Sequence, residues 1–413
     1  MSIKWIRSRS MLRDNKQSIR IMTKEIFFWI CFIVYTTLTF YLFSKQASRP
    51  DGRYLSDMPS YIEGVLGTNE RDPYPYRLFF WVVKGLNAFL PIGLAAAFGT
   101  LLFNTLTVFI LRYYIEKYFI IETNDKGILK TYLPIIVTFS CLIASMVIIP
   151  IKSIYMFPGQ YYIGQGSGNV WHNATYIATR PFATAAFFIF IEIIETINEK
   201  INIKKLILFS LSMFLTVFSK PTFAIVMIPT AAIVLIYLLI KEKFRNFKNI
   251  FYVALTFIPA GLDALRQYFP VFNSSGESGI GFGFGLVWRE YTKSIPFSII
   301  LCFLFPIYIF FCNVKNKEYK GLMFFSLVFA FTSLFEGVFL YEKGPRMSDG
   351  NFLQGYLHAM FYLFIVSVIV WLTKRERKKR QLVYDIIALF FFTLHTVSGV
   401  WYFIHILTGN SFY

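Results

Sequence analysis

Uninterrupted apolar stretches long enough to cross a lipid bilayer recur along almost the whole of this chain. Ile26–Phe43 and Gly355–Leu372 are the clearest. A helix needs roughly 20 such residues to span the hydrocarbon layer. A transmembrane β-barrel would instead show alternating segments of about 10 residues, and this sequence lacks them. In a chain of 413 residues, 56% hydrophobic and 15% charged, one soluble core cannot hide so much apolar surface. The expected fold is all-α: a polytopic membrane helix bundle, residues 1–413 forming a single integral membrane domain.

The cut points follow the polar breaks. Spans are expected at 26–44, 93–114, 131–150, 181–198, 205–219, 222–240, 249–268, 294–312, 321–340, 354–373 and 384–407, about eleven transmembrane helices of bilayer length. Residues 1–25 form a basic tail with Lys4, Arg7, Arg9, Arg13, Lys16, Arg20 and Lys24. Alternate connections, such as NEKINIKK, KEKFRNFKN and TKRERKKR, are also basic. Roughly two thirds of the 41 Lys and Arg residues lie in this tail and these connections, the bias that marks the cytoplasmic side. The expected location is the cell membrane, multi-pass, with the N-terminus cytoplasmic and the C-terminus outside. The net charge of +18 is spread over short inter-span clusters, so no nucleic-acid partner is inferred from it; membrane lipids are the expected surroundings. The first apolar run starts at Ile26 and is too long for a cleaved signal peptide, so it reads as an anchor. Residues 45–92 form the first outer loop, and within it the apolar piece 78–92, carrying Lys84, reads as an interfacial helix. Lys220-Pro221 breaks 205–240 into two short helices, since proline cannot continue the backbone ladder, or else kinks one long span. Cys31, Cys141, Cys302 and Cys312 lie in or beside spans without CxxC spacing and read as packing residues.

Polar residues of chemical interest concentrate in the outer loops. Asp57 sits among apolar and aromatic neighbours in YLSDMPSYI, a setting that suits a general base. Glu70-Arg71-Asp72 spaces two carboxylates to hold a divalent metal such as Mg or Mn, or forms plain solvated loop charge. The second outer loop carries Trp171, His172 and Asn173, with Arg180 beyond; its aromatics offer either flat faces for a sugar ring or a headgroup belt. The third contains GIGFGFG at 279–285. No Gly-Lys-Ser/Thr follows it and no strand–helix unit surrounds it, so it is neither a P-loop nor a dinucleotide fingerprint. A lid or a lipid-facing loop fits. The fourth holds Glu336, Arg346, Asp349 and Asn351. Glu336 is an ionisable group inside an apolar run, which is costly unless used. Arg346 follows a Gly-Pro turn and has the planar fork that suits phosphate. Lys220 either snorkels to the interface or meets a lipid phosphate. Asp263 and Arg266 are spaced for a local ion pair, and His358, His395 and His405 lie on apolar helices as packing residues.

This arrangement resembles the GT-C class of polytopic glycosyltransferases. The resemblance rests on a cytoplasmic N-terminus, one span and a long acidic first outer loop with interfacial helices. Locally it rests on Ser56-Asp57-Met58-Pro59 followed by Tyr74-Pro75-Tyr76-Arg77. Asn169–Thr175 (NVWHNAT) and Glu342–Phe352 (EKGPRMSDGNF) are similar to bacterial membrane proteins of polysaccharide clusters. The sequence departs from the class in having no Asp-x-Asp in the first loop. The resemblance implies transfer of a sugar from a polyprenyl-phosphate-linked donor to a cell-surface glycan or lipid-linked acceptor on the outer face. In it, Asp57 accepts the acceptor proton, and Arg346, with Lys220 or Arg180, holds the leaving phosphate. A lipid-linked glycan flippase or other transporter, and an O-antigen-type polysaccharide polymerase, are the alternative readings.

Overall fold

The computed structural model describes residues 3–68, 74–122, 128–148, 166–272, 279–292, 294–313, 320–373 and 379–411. Among these described residues the fold is all-α apart from two three-residue strands. The chain opens with α1 (Ile3–Ser48), in which the basic tail and the first apolar run form one continuous helix. A 3₁₀ turn at Pro50–Gly52 leads to two short helices, α2 (Met58–Leu66) and α3 (Leu78–Asn87). Then come α4 (Ile92–Glu122), α5 (Ile128–Ile143), α6 (Ala174–Glu195), α7 (Ile203–Ser219) and α8 (Thr222–Lys241). Next are α9 (Phe247–Leu255), α10 (Ile258–Phe272), β1 (Ile280–Phe282), α11 (Trp288–Tyr291) and α12 (Ile295–Asn313). The chain closes with α13 (Lys320–Phe339), β2 (Leu340–Glu342), a 3₁₀ turn at Gly344–Asp349, α14 (Asn351–Leu372) and α15 (Lys379–Leu407).

Eight helices among the described residues are long and apolar enough to cross a membrane: α1, α4, α6, α8, α12, α13, α14 and α15. Of the other three expected spans, one is present as a short helix and two differ from the sequence reading. Segment 205–219 is α7, of 17 residues, and α7 and α8 are indeed separate helices. Segment 131–150 leaves the helix at Ile143, because the following backbone finds partners elsewhere. Ser145 N donates to His395 O (3.2 Å), Val147 N to Leu301 O (3.0 Å) and Ile148 N to Ser398 Oγ (3.0 Å). Segment 249–268 is two helices, α9 and α10. Pro259 cannot donate into the turn before it, and the carbonyl of Thr256 is taken by Ser210 Oγ at 2.8 Å.

Burial sets the order of the bundle. The spanning stretch of α14 is 94% buried and that of α6 is 78% buried, against 28% for α1 and 33% for α15. α14 is therefore the central post, packed by α13, α12 and α8, while α6 lies between α4 and α7. Outer helices turn large apolar side chains outward, Trp29 and Ile33 on α1 and Phe390 and Val397 on α15 among them. A soluble protein rarely exposes such continuous stripes, and the multi-pass membrane reading follows. Close approach to the post needs glycine: a Cβ at Gly168 would come within 2.8 Å of the Phe361 Cα on α14.

Basic and acidic side chains are tied together where α1, α4, α6 and α7 meet. Arg112 bonds Glu116 (2.8 Å) and Glu25, and Lys24 reaches Glu116 at 2.9 Å. Glu192 accepts from Lys205 at 2.8 Å and from Lys117. The four cysteines are free thiols.

Candidate functional site

Asp57 stands at the N-cap position of α2, just before Met58-Pro59. A short acidic side chain there normally accepts from the helix's own first amides. This one makes no capping bond; Ser56 Oγ takes the Met58 amide at 3.3 Å instead. The Asp57 carboxylate turns to the start of α6. Asn173 Nδ2 donates to Asp57 Oδ2 at 2.7 Å, Tyr61 OH lies 3.4 Å from the same oxygen, and the Asp57 amide donates to His172 O at 3.0 Å.

Asn173 is the pivot. Its backbone is extended, and its Oδ1 caps α6 by accepting from Tyr176 N at 2.8 Å. The same oxygen faces Thr175 Oγ1 at 2.9 Å and Lys220 Nζ at 3.4 Å. Donors surrounding Oδ1 fix which way the amide points, so Nδ2 must face the carboxylate. Asp57 and Lys220 are thus joined through one amide.

Lys220 is placed by the break between α7 and α8. It is the extended residue after α7, and Pro221 precedes the first turn of α8. Its side chain is buried, with Nζ 5.9 Å from the centre of the Tyr76 ring. The Tyr74–Arg77 segment is pinned alongside. Arg77 N donates to Phe218 O (2.9 Å), and Arg266, itself paired with Asp263 at 2.6 Å, donates to Pro75 O (3.1 Å). The Asp263–Arg266 pair expected from the spacing therefore also anchors the site loop. Tyr74, Tyr76, Phe80 and Tyr61 form an aromatic floor next to Asp57, with Tyr74 stacked on Phe80 at 5.0 Å.

His172 is buried, and burial pushes its imidazole down to about 4; the Lys220 charge acts in the same direction and the Asp57 charge opposes. It is neutral at physiological pH. Burial also holds the Tyr61 hydroxyl well above its ordinary value, and the neighbouring Asp57 charge adds to this, so Tyr61 stays a donor.

Other predicted residues fall elsewhere. Trp171 is buried between Tyr35 and Phe403 and offers no open face to a sugar. Arg180 is fully buried one layer deeper. It donates to Asn169 Oδ1 (3.0 Å) and Asn104 Oδ1 (3.2 Å) and lies over the Phe361 ring. Asn169 in turn donates to the carbonyls of Cys141 and Ala144. His358 stacks on Tyr176 with ring centres 4.2 Å apart, and its Nε2 is 3.3 Å from Thr222 Oγ1. His395 sits between Ser145 O and Phe305 N. Glu336 is buried on α13 without a hydrogen-bond partner on Oε2 among the described residues. Asp349 is exposed and Asn351 half-buried at the start of α14. Arg346 lies in the Gly344–Asp349 turn with its side chain outside the described residues, as are Glu70 and Asp72 altogether. Among the described residues, no group of three or more His, Cys, Asp or Glu is placed to hold a metal ion.

The structure therefore brings together Asp57, His172, Asn173 and Lys220, and it adds Tyr61 and Thr175. Tyr61 was findable: it follows Asp57 by four positions in a helical stretch, hence on the same face. Thr175 carried no signal beyond its place in NAT. No protein family, curated protein or solved structure matches the chain.

Proposed function

We propose that this protein is a membrane glycosyltransferase that moves a sugar from a polyprenyl-phosphate-linked donor to a glycan or lipid-linked acceptor at the outer face. The supporting observation is the link from Asp57 through Asn173 to Lys220. A carboxylate and a buried cation, contributed by segments far apart in sequence, meet at the ends of α2, α6 and α8. In the reaction the acceptor hydroxyl attacks the anomeric carbon while Asp57 takes its proton, and the bond to the lipid phosphate breaks. Lys220 offsets the negative charge that grows on the departing phosphate, the place where a fixed cation contributes most. The aromatic floor at Tyr74 and Tyr76, rather than Trp171, is the surface for the sugar ring.

The reading includes eleven crossings, with α7 and the α9–α10 pair as short or broken spans and α5 continuing beyond its helix. It includes α2 and α3 as interfacial helices of the outer loop, the N-terminus in the cytoplasm and the C-terminus outside. A transporter or flippase is the second reading. It is favoured by the Arg180, Asn104 and Asn169 network inside the bundle, since transporters gather polar groups at depth. Purified protein in nanodiscs, given lipid-linked sugar and acceptor, separates the two. Release of lipid phosphate with glycosidic product, lost in Asp57→Asn, is the transferase outcome. Movement of intact lipid-linked sugar between leaflets of proteoliposomes, without cleavage, refutes it.

A further inference from the structure

The loop GIGFGFG has no part in the proposed chemistry, yet its geometry is specific. Residues 279–285 alternate glycine with a large apolar residue, and the alternation matches the two faces of a strand. β1 pairs antiparallel with β2, Ile280 opposite Glu342 and Phe282 opposite Leu340. The glycine face lies flat on Tyr341: a Cβ at Gly281 would stand 2.3 Å from that ring, and one at Gly283 would meet both Tyr341 and Leu286. The other face carries Ile280, Phe282 and Phe284, which are 51%, 69% and 55% exposed.

This outward face continues a stripe on a membrane-spanning helix. Phe331 and Phe335 of α13 are 67% and 52% exposed, and Phe335 packs on Phe339. Phe282 then stacks on Phe339 with centres 5.4 Å apart, and Phe284 lies 5.7 Å from it. The apolar surface of α13 runs on, without a gap, over the loop. Exposed Arg289, 5.5 Å from the Phe284 ring, and exposed Lys343 border it, the cation-and-aromatic pairing of a headgroup boundary.

Backbone in lipid must have its polar groups satisfied by the protein itself. Here the loop's amides are bonded to the end of α13: Gly283 N to Phe339 O at 2.8 Å and Gly285 N to Val338 O at 2.6 Å. Those carbonyls are ones a helix leaves without intrahelical partners at its C-terminus. Lys343 N donates back to Gly279 O at 2.7 Å.

We infer that residues 279–286 are a membrane-inserted wedge whose Ile280, Phe282 and Phe284 side chains lie among lipid acyl chains just below the headgroups. The occupant of this surface is the bilayer, argued from continuity with the lipid-facing stripe of α13. Phe282→Trp and Phe284→Trp, each made in the full chain and placed in phosphatidylcholine nanodiscs, report the depth. The added indole emission, taken over that of the parent with its 7 tryptophans, is expected to be quenched severalfold by lipid brominated on the upper acyl chain. Aqueous acrylamide is expected to have little effect. Quenching by acrylamide and not by brominated lipid makes the loop a lid in water and overturns the inference. Resistance to both places another protein surface, such as a second copy, on the patch and overturns it too. Hydrogen exchange on the unaltered protein is a further readout: slow exchange at Gly283 and Gly285 is expected, and exchange at the unprotected rate counts against a lipid-covered wedge.

Discussion

Asp57→Asn keeps the size and hydrogen-bonding shape of the side chain and removes its basicity. As the proposed general base it should contribute about 100- to 10,000-fold to turnover, so a loss of that size is expected with protein level and donor binding preserved. Asp57→Asn with most of its activity intact removes Asp57 from the chemistry. His172 gives a pH test. Its folded value of about 4 lies below the ordinary 6.5, so the unfolded chain takes up the proton first as pH falls. The associated stability is complete above about 6.5 and declines as pH drops towards 4, by up to about 3 kcal/mol. Melting curves in detergent between pH 7 and 4.5 should show this slope, and it should flatten in His172→Gln. An equal slope in the variant assigns it to other groups. Asp57 could be picked from the sequence because an acid among apolar neighbours is unusual. Trp171 left two readings open for a physical reason: an aromatic in a Gly-rich loop looks the same in sequence whether it faces substrate or packs inward, and here Tyr35 and Phe403 enclose it.

Glycine contacts make predictions for whole helices. Gly399 lets α15 press on the end of α5, where a Cβ would fall 2.0 Å from the Ile143 carbonyl oxygen. Gly399→Ala must push the two elements apart, and overpacking of this kind costs about 1–3 kcal/mol. Gly261 on α10 has nothing within 4 Å of such a Cβ, so Gly261→Ala should be neutral or gain up to about 1 kcal/mol from helix propensity. Thermal unfolding of the two variants checks the contrast; equal stability in Gly399→Ala would mean that α15 yields freely. Helix existence was legible because apolar length alone signals it. The ends were not, since they depend on partners distant in sequence. Helix α5 stops at Ile143 because α15 and Leu301 accept from the Ser145, Val147 and Ile148 amides, which another turn would have bonded within the helix. The division of 249–268 did have a local mark in Pro259, whose missing N–H fits the first turn of α10.

Across the whole molecule, the proposed orientation puts the ion-paired parts of α1, α4, α6 and α7 on the cytoplasmic side, with the Lys and Arg bias. Reporter fusions after residue 10, after residue 376 and at the C-terminus test that orientation. Cytoplasmic signal at the first two and external signal at the last are expected; a cytoplasmic C-terminal reporter refutes the odd number of crossings. The bridge at Asn173 also has a consequence for how the chain is made. Its bond to Asp57 joins residues 116 positions apart, and its bond to Lys220 spans another 47. A ribosome-bound chain therefore releases the acid first, the amide much later and the cation last. Until Lys220 follows, the two earlier groups have each other but not the cation that bonds Asn173. The α7–α8 pair is the piece whose insertion closes the site. A nascent chain arrested before residue 220 should leave the loop holding Asp57 open to protease, and one arrested beyond α8 should protect it.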